Sequence, residues 1–190
     1  GGTRFSALGA ARAARQVDAW AAAYTSNFEN HPDAVALLGA GRLLLGNSPS
    51  VLERIRNPLT LMRALRGRGF AVPATRAGAP ASALAGRWLS KPRRSGGGHG
   101  TVTWKSGRVP RTAYLQSRIP GVPGSITFLA DGRHAVPLGL SRQLVGDAGF
   151  GARGFRYCGS LLAGRGTPLF DRAAEVAATA RALAEAVTAE

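Results

Sequence analysis

Trp88-Leu89-Ser90-Lys91-Pro92-Arg93-Arg94-Ser95-Gly96-Gly97-Gly98-His99-Gly100 is the stretch on which the fold turns. A segment of strand character, Arg87-Trp88-Leu89-Ser90-Lys91, delivers a lysine; a glycine run follows; a second strand, Thr101-Val102-Thr103-Trp104, starts at once. Glycines let backbone N–H groups converge on phosphate oxygens, because no Cβ blocks the approach. The lysine adds a point charge for phosphate. A Walker A motif is excluded, since no Gly-Lys-Ser/Thr opens a helix, and so is a dinucleotide-binding turn, since a strand follows. Taken alone, residues 95–98 also suit a flexible linker. The flanking strands and the Lys-Pro step favour a phosphate-covering hairpin loop.

Working outward, strands are expected over residues 112–116, 125–130 and 134–141, with Asp131-Gly132 as a hairpin turn. Thr167-Pro168 opens a final amphipathic helix with Val176, Ala180, Leu183 and Val187 on one side. Upstream, residues 6–24 suggest one alanine-rich helix, and Asp33 sits in the first turn of a second that buries Val35, Leu37 and Leu38. Arg42-Leu43-Leu44-Leu45 suggests a buried strand, and Asn47-Ser48-Pro49-Ser50 supplies helix caps. Asn57-Pro58 splits the following helical pattern in two. Residues 70–72 look extended and residues 74–86 look like a loop.

The 190 residues suit one large domain or parts of two, and a hydrophobic fraction of 45% permits a packed core. The formal net charge is +15, nearly all of it arginine; the only lysines are Lys91 and Lys105. Such charge raises nucleic-acid binding as a class. The arginines are scattered, however, with no dense run beyond Arg93-Arg94 and no interleaved aromatic platform, so no nucleic-acid partner is expected. A single cysteine, Cys158, excludes an internal disulfide and a cysteine-based metal cluster, which fits the cytoplasm. No segment has signal-peptide character or an uninterrupted apolar span, so no membrane association is expected. The start Gly1-Gly2-Thr3 lacks an initiator Met, which suggests a start within a longer protein.

Residues 46–162 resemble the ATP-grasp superfamily, in particular its carboxylate–amine ligases. The matching stretches include Gly46-Asn47-Ser48-Pro49, Trp88 to Gly100, Tyr114-Leu115-Gln116, Ile119-Pro120-Gly121, Phe128-Leu129-Ala130-Asp131-Gly132 and Phe155-Arg156-Tyr157-Cys158-Gly159. Within the superfamily the chain most resembles the branch that includes tyramine–glutamate ligases. The resemblance implies an α+β ATP-grasp fold, here incomplete, with ATP between two sheets. It implies three regions: 1–45 as the tail of a preceding α/β domain, 46–119 as helices and ATP-covering lobe, and 120–190 as the start of the second lobe. Lys91 would contact phosphates, and Ser95, Gly96, Gly97, Gly98 and Gly100 would fold over the triphosphate. Gln116 stands where relatives often have a carboxylate facing the adenine amino group, and its carbonyl oxygen suits the same bond. Ser117 and Ile119 would contribute main-chain groups. The reaction implied is activation of a carboxylate by ATP and attack by an amine.

Three departures qualify the resemblance. Pro58 stands where many members have a second phosphate lysine, and Gly124 where a glutamate often bonds the ribose. The late acidic positions that bind magnesium are not found: after Gly159 only Asp171, Glu175, Glu185 and Glu190 occur, with no Glu-x-Asn. The magnesium ligands are therefore expected outside this chain, and these residues are expected not to turn over alone.

His99 suits a phosphate or acyl-phosphate contact, or a plain loop position. Arg142 and Arg156 suit phosphate or a carboxylate substrate, or surface ion pairs. Two other functions stay open: a non-catalytic nucleotide-binding module completed by another chain, and an arginine-rich nucleic-acid-binding protein.

Overall fold

Ser6 starts the first helix by accepting, on its side-chain oxygen, a hydrogen bond from the Gly9 amide. The computed structural model describes residues 6–25, 27–80, 87–162, 164 and 169–190. They fall into two compact units, Gly1–Asn57 and Pro58–Glu190.

In the first unit, α1 (Ala7–Ala14) packs its buried Ala7 and Ala11 on Ala34 and Leu38 of α2 (Pro32–Gly39). The alanine-rich stretch does not continue as helix to residue 24. The Arg42 guanidinium donates to the carbonyls of Ala14 at 2.8 Å and Arg15 at 3.2 Å, taking up the end of α1. Ala21–Ala23 then becomes β1, parallel to β2 (Leu43–Leu45). Backbone pairing thus overrides the helical preference of alanine. β2 is not the buried strand expected: Leu43 and Leu45 are each 54% exposed, and only Leu44 turns inward, over Gly39. Ser48 caps α3 (Pro49–Ile55), with Pro49 in its first turn.

The second unit opens with α4 (Pro58–Gly67), which begins at the Asn57-Pro58 step as expected. A four-stranded antiparallel sheet follows, built from β3 (Thr75–Arg76), β4 (Trp88–Pro92), β5 (Val102–Trp104) and β6 (Ala113–Ser117), in the order β3-β6-β4-β5. β3 lies in the stretch expected to be loop, and residues 81–86 of that stretch lie outside the described residues. Trp88 stands opposite Trp104, and this face packs Trp88, Trp104, Val109, Ala113 and Leu115 into a core. In-register partners share a face. Gln116 lies opposite Leu89 and Thr75, and Lys91 opposite Tyr114, so these five line the other face.

A three-stranded sheet completes the unit: β7 (Gly124–Ala130), β8 (Ala135–Val145) and β9 (Tyr157–Leu162), in that order. Asp131 makes the β7–β8 turn by accepting from the amides of Arg133 and His134, both at 2.7 Å. β9 is an addition to the strands expected. The last helix, α5 (Ala173–Thr188), packs on β7 and β8; Val176, Ala180 and Leu183 border the groove between them, Val187 is half-buried, and Ala184 and Ala186 are buried. Its expected opening at Thr167-Pro168 lies outside the described residues. The architecture is mixed α+β, with a parallel two-stranded pair in the first unit and two antiparallel sheets in the second.

Candidate nucleotide-binding site

Because side chains alternate across a strand, β4 turns Leu89 and Lys91 together away from the tryptophan core. There they line a cleft of about 450 Å³ between the two sheets of the second unit. Thr101 and the glycine loop border it from the same lobe, and Gln143, Val145, Phe155 and Tyr157 from the other.

The loop is an ordered cover. Gly97, Gly98 and Gly100 have φ of 58°, 72° and 70°, a region where a side chain is strained. The Ser95 hydroxyl donates to the His99 carbonyl at 2.7 Å, and the Thr101 amide to the Gly98 carbonyl at 3.2 Å. The loop also reaches the second sheet: the Tyr157 amide donates to the Gly97 carbonyl at 3.0 Å. A Cβ on Gly98 would lie 1.8 Å from the Phe155 carbonyl oxygen, so only glycine fits this close approach. A tether free in solvent is therefore the wrong description of residues 95–100.

Lys91 Nζ donates to Gln116 Oε1 at 2.8 Å, and Gln116 Nε2 donates to Thr75 Oγ1 at 3.2 Å. Burial pushes the Lys91 ammonium below the ordinary lysine pKa. Among the described residues no carboxylate lines the cleft, and the lysine's hydrogen-bond partner is a neutral amide, which leaves its charge for an anion.

The other expected positions are distributed unevenly. Ser117 commits its amide to the Ala74 carbonyl at 2.8 Å and its hydroxyl to the Ala74 amide at 3.0 Å. Ile119, just past β6, is 66% exposed. His99 does not line the cleft; its ring Nδ1 donates to the Gly96 carbonyl of its own loop at 3.0 Å. Arg142 and Arg156 are exposed and are likewise not among the lining residues. Arg142 falls on the face of β8 shared with Leu140, which borders the groove under α5, while its neighbour Gln143 faces the cleft. Arg156 gives its carbonyl to the Gly146 amide at 2.7 Å, and its flanking residues Phe155 and Tyr157 take the cleft positions. Leu89, Thr101, Gln143, Val145, Phe155 and Tyr157 line the cleft without having been expected there, and Thr75 is joined to Lys91 through Gln116. Gly124 is closed to any ribose-binding side chain, because a Cβ there would meet the Phe170 ring at 2.9 Å.

Magnesium is not accommodated by these residues. Among the described residues no group of three His, Cys, Asp or Glu side chains is placed to hold a metal. The groove between α5 and β7–β8 is larger, about 590 Å³, but mostly apolar and without a lysine. No helix among the described residues is long and apolar enough to cross a membrane.

A lysine strand and glycine flap facing a second antiparallel sheet agree with the family comparison, in which the model of the ATP-grasp domain matches residues 55–188. The chain belongs to the ATP-grasp family. Solved structures with the same fold include an ATP-grasp superfamily protein from Archaeoglobus fulgidus, 20% identical, TM-score 0.59, covering 82% of this chain and 44% of that one. Rhizobium etli pyruvate carboxylase is 15% identical with TM-score 0.68, over 96% of this chain and 18% of that one. The L-amino acid ligase of Bacillus licheniformis is 14% identical with TM-score 0.55, over 87% and 41%. This ATP-grasp chain therefore spans less than half the length of each, and at these identities the likeness concerns the fold. Comparison with curated protein sequences finds no match.

Proposed function

We propose that the cleft binds ATP and that the chain is the ATP-binding portion of a cytoplasmic carboxylate–amine ligase, of the branch resembling tyramine–glutamate ligases. The observation that carries this reading is the bond between Tyr157 and Gly97, which makes the glycine loop a cover over the cleft that Lys91 faces. Residues 46–119 supply the helices and the covering lobe, residues 120–190 begin the second lobe, and residues 1–45 are the tail of a preceding domain.

In this reading Lys91 holds the phosphates as a cation, and the exposed main chain of Gly96, Gly97, Gly98 and Gly100 covers them. Gln116 meets the adenine amino group, while the Ser117 carbonyl and the Ile119 amide meet the base edge. The substrate carboxylate oxygen attacks the γ-phosphorus, and ADP leaves with the electron pair of the broken P–O bond. The amine nitrogen then attacks the acyl carbon, inorganic phosphate leaves, and the amine loses a proton as the amide forms. Phosphoryl transfer asks little covalent chemistry of the protein, so positioning and charge neutralisation carry the catalysis. Lys91 is the one cation lining the cleft among the described residues. Magnesium would supply positive charge for the phosphates in such chemistry, and among the described residues no group of three His, Cys, Asp or Glu side chains is placed to hold it.

Calorimetric titration of the 190-residue chain with ATP tests the binding half. Measurable affinity that Lys91→Met weakens about tenfold or more is expected. Equal affinity in both proteins would remove the reading. For the reaction, hydroxylamine added to the full-length protein with ATP and candidate carboxylates should trap the acyl phosphate as a hydroxamate. ATP cleavage that needs no carboxylate would argue against ligation.

A further inference from the structure

Four polar groups, starting from Lys91 at the cleft, form a chain with one direction. Lys91 is a donor only, so the Gln116 atom facing it at 2.8 Å is the carbonyl oxygen. The amide nitrogen of Gln116 therefore points the other way, to Thr75 Oγ1 at 3.2 Å. Thr75 spends its own hydroxyl proton on the Pro73 carbonyl at 3.0 Å, so toward Gln116 it can only accept. Turning the Gln116 amide over would set its NH2 against an ammonium and its oxygen against a hydroxyl whose proton is spent. Both bonds would be lost, one of them charge-assisted.

We propose that Thr75 is a positioning residue that, with Lys91, holds the Gln116 acceptor oxygen in one orientation, so that the site selects purines carrying a 6-amino group over those carrying a 6-oxo group. The inference rests on the proposed reading that a purine nucleotide occupies the cleft with its 6-position toward Gln116, which does not itself line the cleft. Gln116 shares the Lys91 face of the sheet, and its oxygen keeps a second lone pair after bonding Lys91. An exocyclic amine donates to that lone pair, whereas a 6-oxo group opposes it with another acceptor. A carboxylate needs no such support, because both its oxygens accept whichever way it turns. A glutamine presents one acceptor and one donor, and Lys91 and Thr75 together decide which end is which. Thr75 is the β3 partner of Gln116 in register, so the two-residue strand β3 serves to place this hydroxyl.

The test compares ATP with inosine triphosphate, which differ at purine C6 and in the proton on N1, by calorimetric titration of the 190-residue chain. The unaltered chain should prefer ATP by about tenfold or more, the scale of one hydrogen bond exchanged for an acceptor–acceptor clash. Thr75→Val should cut that preference at least threefold, mainly by weakening ATP, and Thr75→Ser should keep it. In a Gln116→Glu background, Thr75→Val should leave the preference unchanged, because a carboxylate has no orientation to hold. An equal Thr75→Val effect in both backgrounds would show a merely structural role and overturn the proposal. Equal affinity of the unaltered chain for the two nucleotides would overturn it while leaving the nucleotide site standing. Absence of binding to either nucleotide would overturn both.

Discussion

The Tyr157 amide and the Gly97 carbonyl meet at 3.0 Å, fastening the glycine loop of one sheet to the first residue of β9 in the other. One residue further along the loop, Gly98 passes so close to Phe155 that no side chain fits. The loop's seat on the second sheet therefore depends on bare main chain at that position.

Gly98→Ala is expected to unseat the loop. A left-handed φ at a residue with a Cβ costs about 1–2 kcal/mol, and the clash with the Phe155 carbonyl adds to it. Hydrogen exchange at the Tyr157 amide should quicken, and ATP affinity should fall about tenfold, while far-ultraviolet circular dichroism stays unchanged. Gly67→Ala, where a Cβ meets nothing within 4 Å, is the control expected to leave both unaltered.

Lys91 should make stability depend on alkaline pH. Burial lowers its folded pKa below the unfolded value, so between the two the unfolded chain binds more protons. The charged lysine is thus a cost at neutral pH, and that cost is relieved as pH rises through the folded pKa toward the ordinary value. Urea unfolding should show the parent chain gaining stability relative to Lys91→Met as pH is raised from neutrality. ATP affinity should move the opposite way over the same range, because the neutral amine no longer attracts phosphate. A stability difference that stays flat with pH would contradict the burial argument.

Asp131 titrates in the opposite sense. Backbone bonds from His134 and Arg133, with the His134 side chain adding to them, hold its carboxyl down at about 2. A carboxylate lowered on folding contributes stability that is present above its unfolded pKa and lost as pH falls through the folded one. A carboxyl-carbon NMR titration should give a midpoint near 2 for Asp131. Asp131→Asn should remove that transition and leave the turn without one charge-assisted acceptor. A midpoint at the ordinary aspartate value would show the turn to be open in solution.

Gln143 and Arg142 are neighbours with opposite fates. Gln143→Ala is expected to weaken ATP binding about three- to tenfold, the range for one polar contact in a cleft. Arg142→Ala, altering the other face of β8, should change it less than twofold by the same scale. The reverse order would mean that the strand slips by one residue on binding, which exchanges the two faces.

Residues that carry their own instructions were legible in the sequence. Lys91 before the glycine run, Asp131-Gly132 between two strands, Ser48-Pro49 at a helix start and the break at Asn57-Pro58 all act within a few positions of themselves. Capping, turn geometry and strand alternation are local effects, so these features appear where expected. Tertiary structure alone decided the elements whose partners lie far away. Ala21–Ala23 is strand because Leu43–Leu45 offers it a ladder, and Thr75–Arg76 is strand because Leu115 and Gln116 do. Nothing within either segment announces this. The same holds for the site. That Lys91 would reach a cleft was readable from its strand, but its pairing with a neutral Gln116, and Thr75 behind that, required two strand registers to be set first. A side chain's residue type is written in the chain, whereas the partner it meets depends on how distant segments pair.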